Sequence, residues 1–162
     1  MATQVQVIVG SKTDLPHLVK AVEVLKTVGV ITVVDVISAH RNPEELRDAC
    51  RDARASGVVV FIAAAGWAAA LPGVVAAETG FMTPVIGIPL SGGPYANDSL
   101  YAMASMPPGC PVMIVPNPEN AALAAAQIVA RTNAGVAIRL RDYLTAQEEK
   151  RAPQYNVTDF TK

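Results

Sequence analysis

The chain has 162 residues, of which 51% are hydrophobic and 17% charged, and its formal net charge is −1. This length suits one domain with a substantial core, and a near-neutral charge gives no electrostatic case for binding nucleic acid or an anionic membrane. The two cysteines, Cys50 and Cys110, form no disulfide or zinc pattern, which favours a reducing compartment.

Hydrophobic runs alternate along the chain with segments of helical spacing. Strands are predicted over Val5–Val9, Ile31–Ile37, Val58–Ala63, Pro84–Pro89 and Pro111–Val115. Helices are predicted over Asp14–Val28, Glu44–Ala55, Leu71–Thr79, Asn97–Met106, Asn120–Arg131 and Val136–Arg151. Strands made of continuous valine and isoleucine are typical of a parallel sheet covered on both faces. The order therefore predicts a doubly wound, three-layer α/β fold with a C-terminal helix, as a single domain over residues 1–152 and a loose tail over 153–162.

The stretch Ala55–Ala77 has no charged residue and is long enough to cross a bilayer. It is interrupted by Gly57, Gly66 and Pro72, and it divides into a buried strand, a turn and a helix that begins near Leu71. We therefore expect no membrane partner. The amino terminus has no basic region of the kind that begins a signal peptide, so we expect a cytoplasmic protein.

In an open parallel sheet, ligands bind at the loops that follow the strands. The first such loop is Gly10–Asp14, in which Ser11 and Thr13 offer hydroxyls beside free backbone N–H groups. That composition suits a phosphate or a ribose. Asp14 can either cap the following helix or accept hydrogen bonds from sugar hydroxyls. The loop matches neither the Walker pattern nor GxGxxG.

The second loop, Ser38–Arg41, contains His40 beside Arg41. A histidine takes up and releases protons near neutral pH, and a guanidinium binds phosphate or carboxylate in a fork. The following Asn42–Glu45 is a typical start of a helix. The alternative is that His40 only hydrogen-bonds a loop. The other histidine, His17, lies within a predicted helix and is interpreted as a surface or packing residue.

The third loop, Ala64–Gly73, consists mostly of small residues, which let a ligand approach the backbone closely. Simple close packing is the alternative. The fourth loop, Ser91–Leu100, is polar and is predicted to be a lid or an inter-subunit loop. Nothing in the sequence resembles a hydrolase triad or a metal triad, so we expect no metal.

Together these loops resemble the PurE family of purine biosynthesis. The matching segments follow the family order from about residue 5 to 131: Gly10–Asp14 (family GSxSD), Ser38–Pro43 (family SAHRTP), Leu71–Gly73, Ala76–Ala77, Pro84–Pro89, Asp98–Leu100, Met106–Pro107 and Asn120–Leu123. The resemblance implies a flavodoxin-like three-layer αβα sandwich that assembles as a homo-octamer.

The resemblance also implies an activity. Members with SAHR convert N5-carboxyaminoimidazole ribonucleotide to 4-carboxyaminoimidazole ribonucleotide, through CO2, whereas members with SAHK carboxylate aminoimidazole ribonucleotide. By position, Ser11, Ser38 and Arg41 would hold the phosphate. Asp14 would bind the ribose hydroxyls, and His40 would transfer the proton. Because one imidazole can serve both proton transfers, no cofactor is implied.

The third loop departs from the family pattern. Through Gly66, Trp67 and Ala70 it would contact the base of the substrate, yet Ala64 and Trp67 replace family glycines and Ala70 replaces a histidine. Two extra residues around Gly80–Thr83 and a shorter fourth loop are further differences. The mutase is the first expectation. The alternatives are a carboxylase or decarboxylase acting on aminoimidazole ribonucleotide or a related heteroaromatic substrate, and a catalytically weak nucleotide-binding protein.

Overall fold

The central sheet of the computed structural model has five parallel strands, and residues 3–94 and 97–150 are described. The strands are β1 (Val5–Val9), β2 (Thr32–Val36), β3 (Val60–Ala65), β4 (Val85–Pro89) and β5 (Met113–Ile114). Their order across the sheet is β2-β1-β3-β4-β5. This is the flavodoxin-like order, and it confirms the predicted fold class.

Helices cover both faces of the sheet. They are α1 (Val19–Thr27), α2 (Pro43–Ala55), α3 (Leu71–Glu78), α4 (Asp98–Ala104), α5 (Pro118–Ala130) and α6 (Ala134–Lys150). The helices α1, α5 and α6 share one hydrophobic core, whereas α2, α3 and α4 share the other. Alternate strand residues serve the two cores, so that Val7 packs on the α1 side and Ile8 on the α2 side.

The first predicted helix is two elements. A 3-10 segment, Lys12–Leu18, precedes α1, and Pro16 lies inside it. Proline has no backbone N–H, so a regular α-helix is not continued through this position. The capping residue is Ser11, whose hydroxyl accepts from the N–H of Thr13. Asp14 lies in the first turn, and the alternative in which it caps the helix is therefore wrong.

The limits of four strands also differ from prediction, and β2 and β4 are each slightly shorter than expected. β3 begins and ends two residues later than expected, and at its end Ala64 pairs with Val9 and Ala65 pairs with Pro89. β5 is shortened to two residues and follows Pro111. β2 is an edge strand with partly exposed valines, so the expectation of a sheet covered on both faces holds for the inner strands only.

The uncharged stretch identified in the sequence folds as β3 and α3. Within residues 3–94 and 97–150, no helix is long and apolar enough to cross a bilayer. The predicted tail over 153–162 lies outside the described residues, as do residues 1–2, 95–96 and 151–152. The predicted domain limit at residue 152 therefore stays a prediction.

Candidate active site

The loops after β1, β2 and β3 meet at one edge of the sheet and enclose a cavity of about 520 Å³. β1 and β3 are neighbours at the point where the strand order reverses, which is where open α/β sheets bind their ligands. Every residue predicted for the site lines this cavity: Ser11, Asp14, Ser38, His40, Arg41, Gly66, Trp67 and Ala70.

The loop after β1 presents two hydroxyls to the cavity. The Oγ of Ser11 lies 2.8 Å from the Oγ1 of Thr13 and accepts from the Thr13 N–H at 3.3 Å. The N–H of Asp14 donates to the carbonyl of Ser11 at 3.0 Å. This turn holds the Ser11 hydroxyl and the Asp14 carboxyl beside each other in the cavity wall, where both can contact one polar ligand.

Arg41 connects the loop after β2 to the loop after β1. Its Nε donates to the Oγ of Ser38 at 3.3 Å, and its Nη2 donates to the carbonyl of Gly10 at 3.2 Å. A guanidinium has five N–H donors in a planar fork. The remaining donors can serve an anionic ligand, and both loops are held in position by the same side chain.

His40 lies exposed in the turn between β2 and α2, which is closed by a hydrogen bond from Asn42 N–H to the Ser38 carbonyl at 2.9 Å. Its imidazole makes no hydrogen bond to any residue of the described ranges. The alternative in which His40 only hydrogen-bonds a loop is therefore not observed among these residues. His40 therefore borders the cavity as an exposed residue whose side chain is available to a ligand. His17 is exposed in the 3-10 segment, outside this cavity.

The loop after β3 has strained backbone at two non-glycine residues. Trp67 has a φ of 54° and Ala69 a φ of 42°. Such left-handed conformations cost about 1–2 kcal/mol for a residue with a side chain. The Ala69 N–H donates to the carbonyl of Gly66 at 3.0 Å, which closes the turn. The indole of Trp67 is 64% exposed.

Two glycines let this loop pack against the loop after β4. A methyl group at Gly66 would lie 3.2 Å from the carbonyl oxygen of Leu90. At Gly93 it would lie 2.7 Å from the Oδ2 of Asp98 and 3.5 Å from the Cα of Trp67. The approaches to the Leu90 carbonyl and the Asp98 carboxylate favour residues without a Cβ, and they bring the two loops into contact beside Trp67.

A second cavity of about 380 Å³ adjoins the first. It is lined by Trp67, Ala68, Pro94, Asp98 and Tyr101, so Trp67 and Ala68 belong to both cavities. Tyr101 was not predicted, since nothing in its sequence neighbourhood separates it from an ordinary residue of α4. The prediction that residues 91–100 form a lid or an inter-subunit loop stays a prediction.

The thiol of Cys50 on α2 is fully buried away from the cavity. Burial disfavours the thiolate, and the nearby carboxylate of Glu78 repels it. Together they raise the pKa of Cys50 from 9.0 to about 11. Within the described ranges, no group of three or more His, Cys, Asp or Glu side chains has a metal-binding arrangement.

A family model described as AIR carboxylase matches residues 4–150. The N5-carboxyaminoimidazole ribonucleotide mutase of Pyrococcus abyssi is 43% identical over 143 residues, covering 86% of this chain and 81% of that protein. The protein of the same name from Escherichia coli K12 is 38% identical over 152 residues, covering 91% and 89%. Phosphoribosylaminoimidazole carboxylase of Saccharomyces cerevisiae is 40% identical over 149 residues, which are 90% of this chain and 26% of that protein.

Among solved structures, Treponema denticola PurE superposes with a TM-score of 0.83 at 28% identity, covering 91% of this chain and 92% of the other. Fold and cavity thus define a flavodoxin-like α/β protein with a cavity at its topological switch point. The chain belongs to the AIR carboxylase family, the family of PurE, as the sequence motifs predicted.

Proposed function

We propose that this protein is an N5-carboxyaminoimidazole ribonucleotide mutase, an isomerase of purine biosynthesis that transfers CO2 from N5 to C4 of its ribonucleotide substrate. The observation that carries the proposal is the meeting of His40 with the Arg41 guanidinium and the Ser11 and Ser38 hydroxyls in one cavity. The identity to proteins named as mutases, 43% and 38% over most of the chain, supports the choice of reaction.

The phosphate of the substrate binds where the first two loops meet. Arg41 supplies charged N–H donors, and the hydroxyls of Ser11 and Ser38 supply neutral ones. Asp14, on the same wall, accepts hydrogen bonds from the ribose hydroxyls. This placement directs the base toward the third loop, where Gly66, Trp67 and Ala70 line the cavity.

His40 moves one proton in each half of the reaction. The N–CO2 bond of the carbamate breaks, its electron pair stays on nitrogen, and protonated His40 supplies the proton that nitrogen needs. C4 then attacks CO2, a C–C bond forms, and the same carbon loses its proton to neutral His40. The imidazole returns to its starting state, so the sum of the two steps needs no outside acid or base.

The freed CO2 has to be held between the two steps. The third loop closes its side of the cavity with the side chains of Ala68, Ala69 and Ala70, which carry no hydrogen-bonding groups of their own. An apolar wall of this kind gives water few partners and leaves room for a small linear molecule. We assign no cofactor and no metal to the reaction.

We further propose that the protein assembles as a homo-octamer and acts in the cytoplasm. Partly exposed valines on the edge strand, Val33, Val34 and Val36, and the largely exposed Met82 support burial against other subunits. Light scattering coupled to size-exclusion chromatography measures the mass directly. A monomer would contradict the assembly.

The second candidate is a carboxylase or decarboxylase of aminoimidazole ribonucleotide or a related heteroaromatic compound. Trp67 and Ala70 in the base-side wall favour it, because both depart from the family pattern. Purified protein is assayed with synthetic N5-carboxyaminoimidazole ribonucleotide and, separately, with aminoimidazole ribonucleotide and bicarbonate. Rapid product formation in the first assay alone supports the mutase. Product in the second alone supports the carboxylase, and no product in either, with binding retained, supports a nucleotide-binding protein.

A further inference from the structure

We infer that Trp67 is the stacking surface for the heteroaromatic ring of the substrate, and that it determines the specificity of this site for a planar base. The inference rests on the proposed function in one respect, namely that the ligand of the cavity is a ribonucleotide. It concerns the base end of the site, whereas the phosphate end is formed by Ser11, Ser38 and Arg41.

Two unfavourable features coincide at Trp67. Its backbone is left-handed, with a φ of 54°, and its large aromatic side chain is 64% exposed. Backbone strain of this kind persists where the surrounding structure enforces it, and it is concentrated at functional sites. An indole that is 64% exposed has much of its surface available to a planar partner.

The backbone beneath the indole is held from two sides. The turn is closed by the hydrogen bond from Ala69 to Gly66, and Gly93 of the following loop comes close to the Cα of Trp67. The indole is therefore attached to a fixed point in the cavity wall. A ligand whose phosphate is bound at Arg41 meets this wall with its other end, since both groups line the same cavity.

The surroundings of Trp67 favour stacking over hydrogen bonding as the means of recognition. Its neighbours in the wall, Ala68, Ala69 and Ala70, have side chains without polar atoms. Tyr101, 65% exposed, borders the adjoining cavity that Trp67 also lines, which extends the aromatic surface. Stacking on an aromatic side chain accepts any ring with a π face. The site thus selects for planarity more than for the pattern of ring substituents.

The chain contains a single tryptophan, so intrinsic tryptophan fluorescence reports on this residue alone. We would titrate the full-length protein with aminoimidazole ribonucleotide and with ribose 5-phosphate, which shares the phosphate and sugar but lacks the ring. Calorimetry would measure both affinities in parallel. We expect the ribonucleotide to change the fluorescence and ribose 5-phosphate to bind without changing it.

Two variants test the stacking directly. Trp67→Gly removes the ring and suits the left-handed backbone, so it is expected to fold. It should lose about tenfold in affinity for the ribonucleotide and nothing for ribose 5-phosphate. Trp67→Phe keeps a ring and should retain most of the affinity. Phe81→Gly is the matched control, since Phe81 is also an exposed aromatic residue at positive φ but precedes β4 at the opposite end of the sheet.

The outcomes separate this inference from the proposed function. Binding of the ribonucleotide with unchanged fluorescence, or with equal affinity in Trp67→Gly, overturns the stacking role and leaves the proposed substrate intact. A fluorescence change of equal size with ribose 5-phosphate overturns it as well, because the ring would then not be the cause. Failure of both ligands to bind overturns the proposed function and this inference together.

Discussion

Arg41 donates from Nη2 to the carbonyl oxygen of Gly10 at 3.2 Å, and this hydrogen bond joins the loop after β2 to the loop after β1. The Nε of the same guanidinium contacts the Oγ of Ser38 at 3.3 Å. Because Arg41 is exposed, the two contacts add little to the stability of the fold. Their effect is to place one cation between two loops that both line the cavity.

Replacing Arg41 by lysine keeps the charge but removes the planar fork. Arg41→Lys is expected to weaken binding of the ribonucleotide about tenfold, the size of a lost hydrogen bond to a charged group, while the melting temperature changes little. Calorimetry and a thermal melt measure the two quantities. A large loss of stability with unchanged affinity would show that Arg41 serves the fold and not the ligand.

His40→Asn is expected to lower turnover by about 100-fold or more, because asparagine cannot carry the proton in either half of the reaction. Binding of aminoimidazole ribonucleotide should survive, since Arg41 and the serines are untouched. His17→Asn is the matched control, as His17 is exposed and lies outside the cavity. Steady-state kinetics on both variants provide the test. Wild-type turnover in His40→Asn would exclude the proton-transfer role.

Glycine at Trp67 is expected to stabilise the protein, since the residue is 64% exposed and its backbone is left-handed. Relief of a left-handed conformation returns about 1–2 kcal/mol, which exceeds the flexibility cost of glycine, about 0.5–1 kcal/mol. Trp67→Gly should raise the free energy of unfolding by roughly 0.5 kcal/mol on this balance. Equilibrium unfolding in urea measures this change in the free energy of unfolding. A clear loss of stability in Trp67→Gly would mean that the indole packs on the protein.

The raised pKa of Cys50 predicts a loss of stability at alkaline pH. The folded protein holds the thiol proton more tightly than the unfolded chain, so this contribution is complete below pH 9 and is lost as the pH rises toward about 11. The free energy of unfolding of Cys50→Ala should therefore fall less steeply than that of the wild type between pH 9 and about pH 11. Cys110→Ala is the control, and its free energy of unfolding should fall with pH as that of the wild type does. Equal slopes for wild type and Cys50→Ala would refute the assignment.

Ala70→His tests whether the base-side wall limits the reaction. Ala70 lines the cavity beside the strained turn, and the resemblance places a histidine there. If the assay with N5-carboxyaminoimidazole ribonucleotide gives no product, Ala70→His combined with Trp67→Gly is expected to restore measurable mutase activity. Ala70→Ser is the control for a small polar side chain. Restoration by Ala70→Ser to the same level would argue against a role specific to imidazole.

The alternation of strands and helices was predictable because buried parallel strands are continuous hydrophobic runs, as in Val5–Val9. The end of β3 was not predictable, because Ala64 and Ala65 have little strand preference of their own. They are extended because they pair with neighbouring strands. The change from 3-10 helix to α1 depends on Pro16. The spacing of apolar residues, from which the helix was predicted, gives no information about this proline.

The site was predictable to a similar extent and for a related reason. Ser11, His40 and Arg41 follow strands whose ends a parallel sheet brings to one edge, so their meeting follows from topology. The hydrogen bond from Arg41 to Gly10 spans separate loops and has no signature in the chain. The left-handed backbone of Trp67 is equally hidden, because tryptophan has no preference for that conformation.

The turn from Gly66 to Ala70 is separate from the loops that Arg41 ties together, and it is anchored instead to the loop after β4. Under the proposed function, changes in this one short segment can alter which bases are bound while the phosphate contacts of Arg41 stay the same. A library randomised over residues 67–70 alone would test this by selecting for other heterocyclic substrates with Ser11, Ser38 and Arg41 unchanged. The segment that would change the bound base is then the same turn whose backbone is left-handed at Trp67 and Ala69.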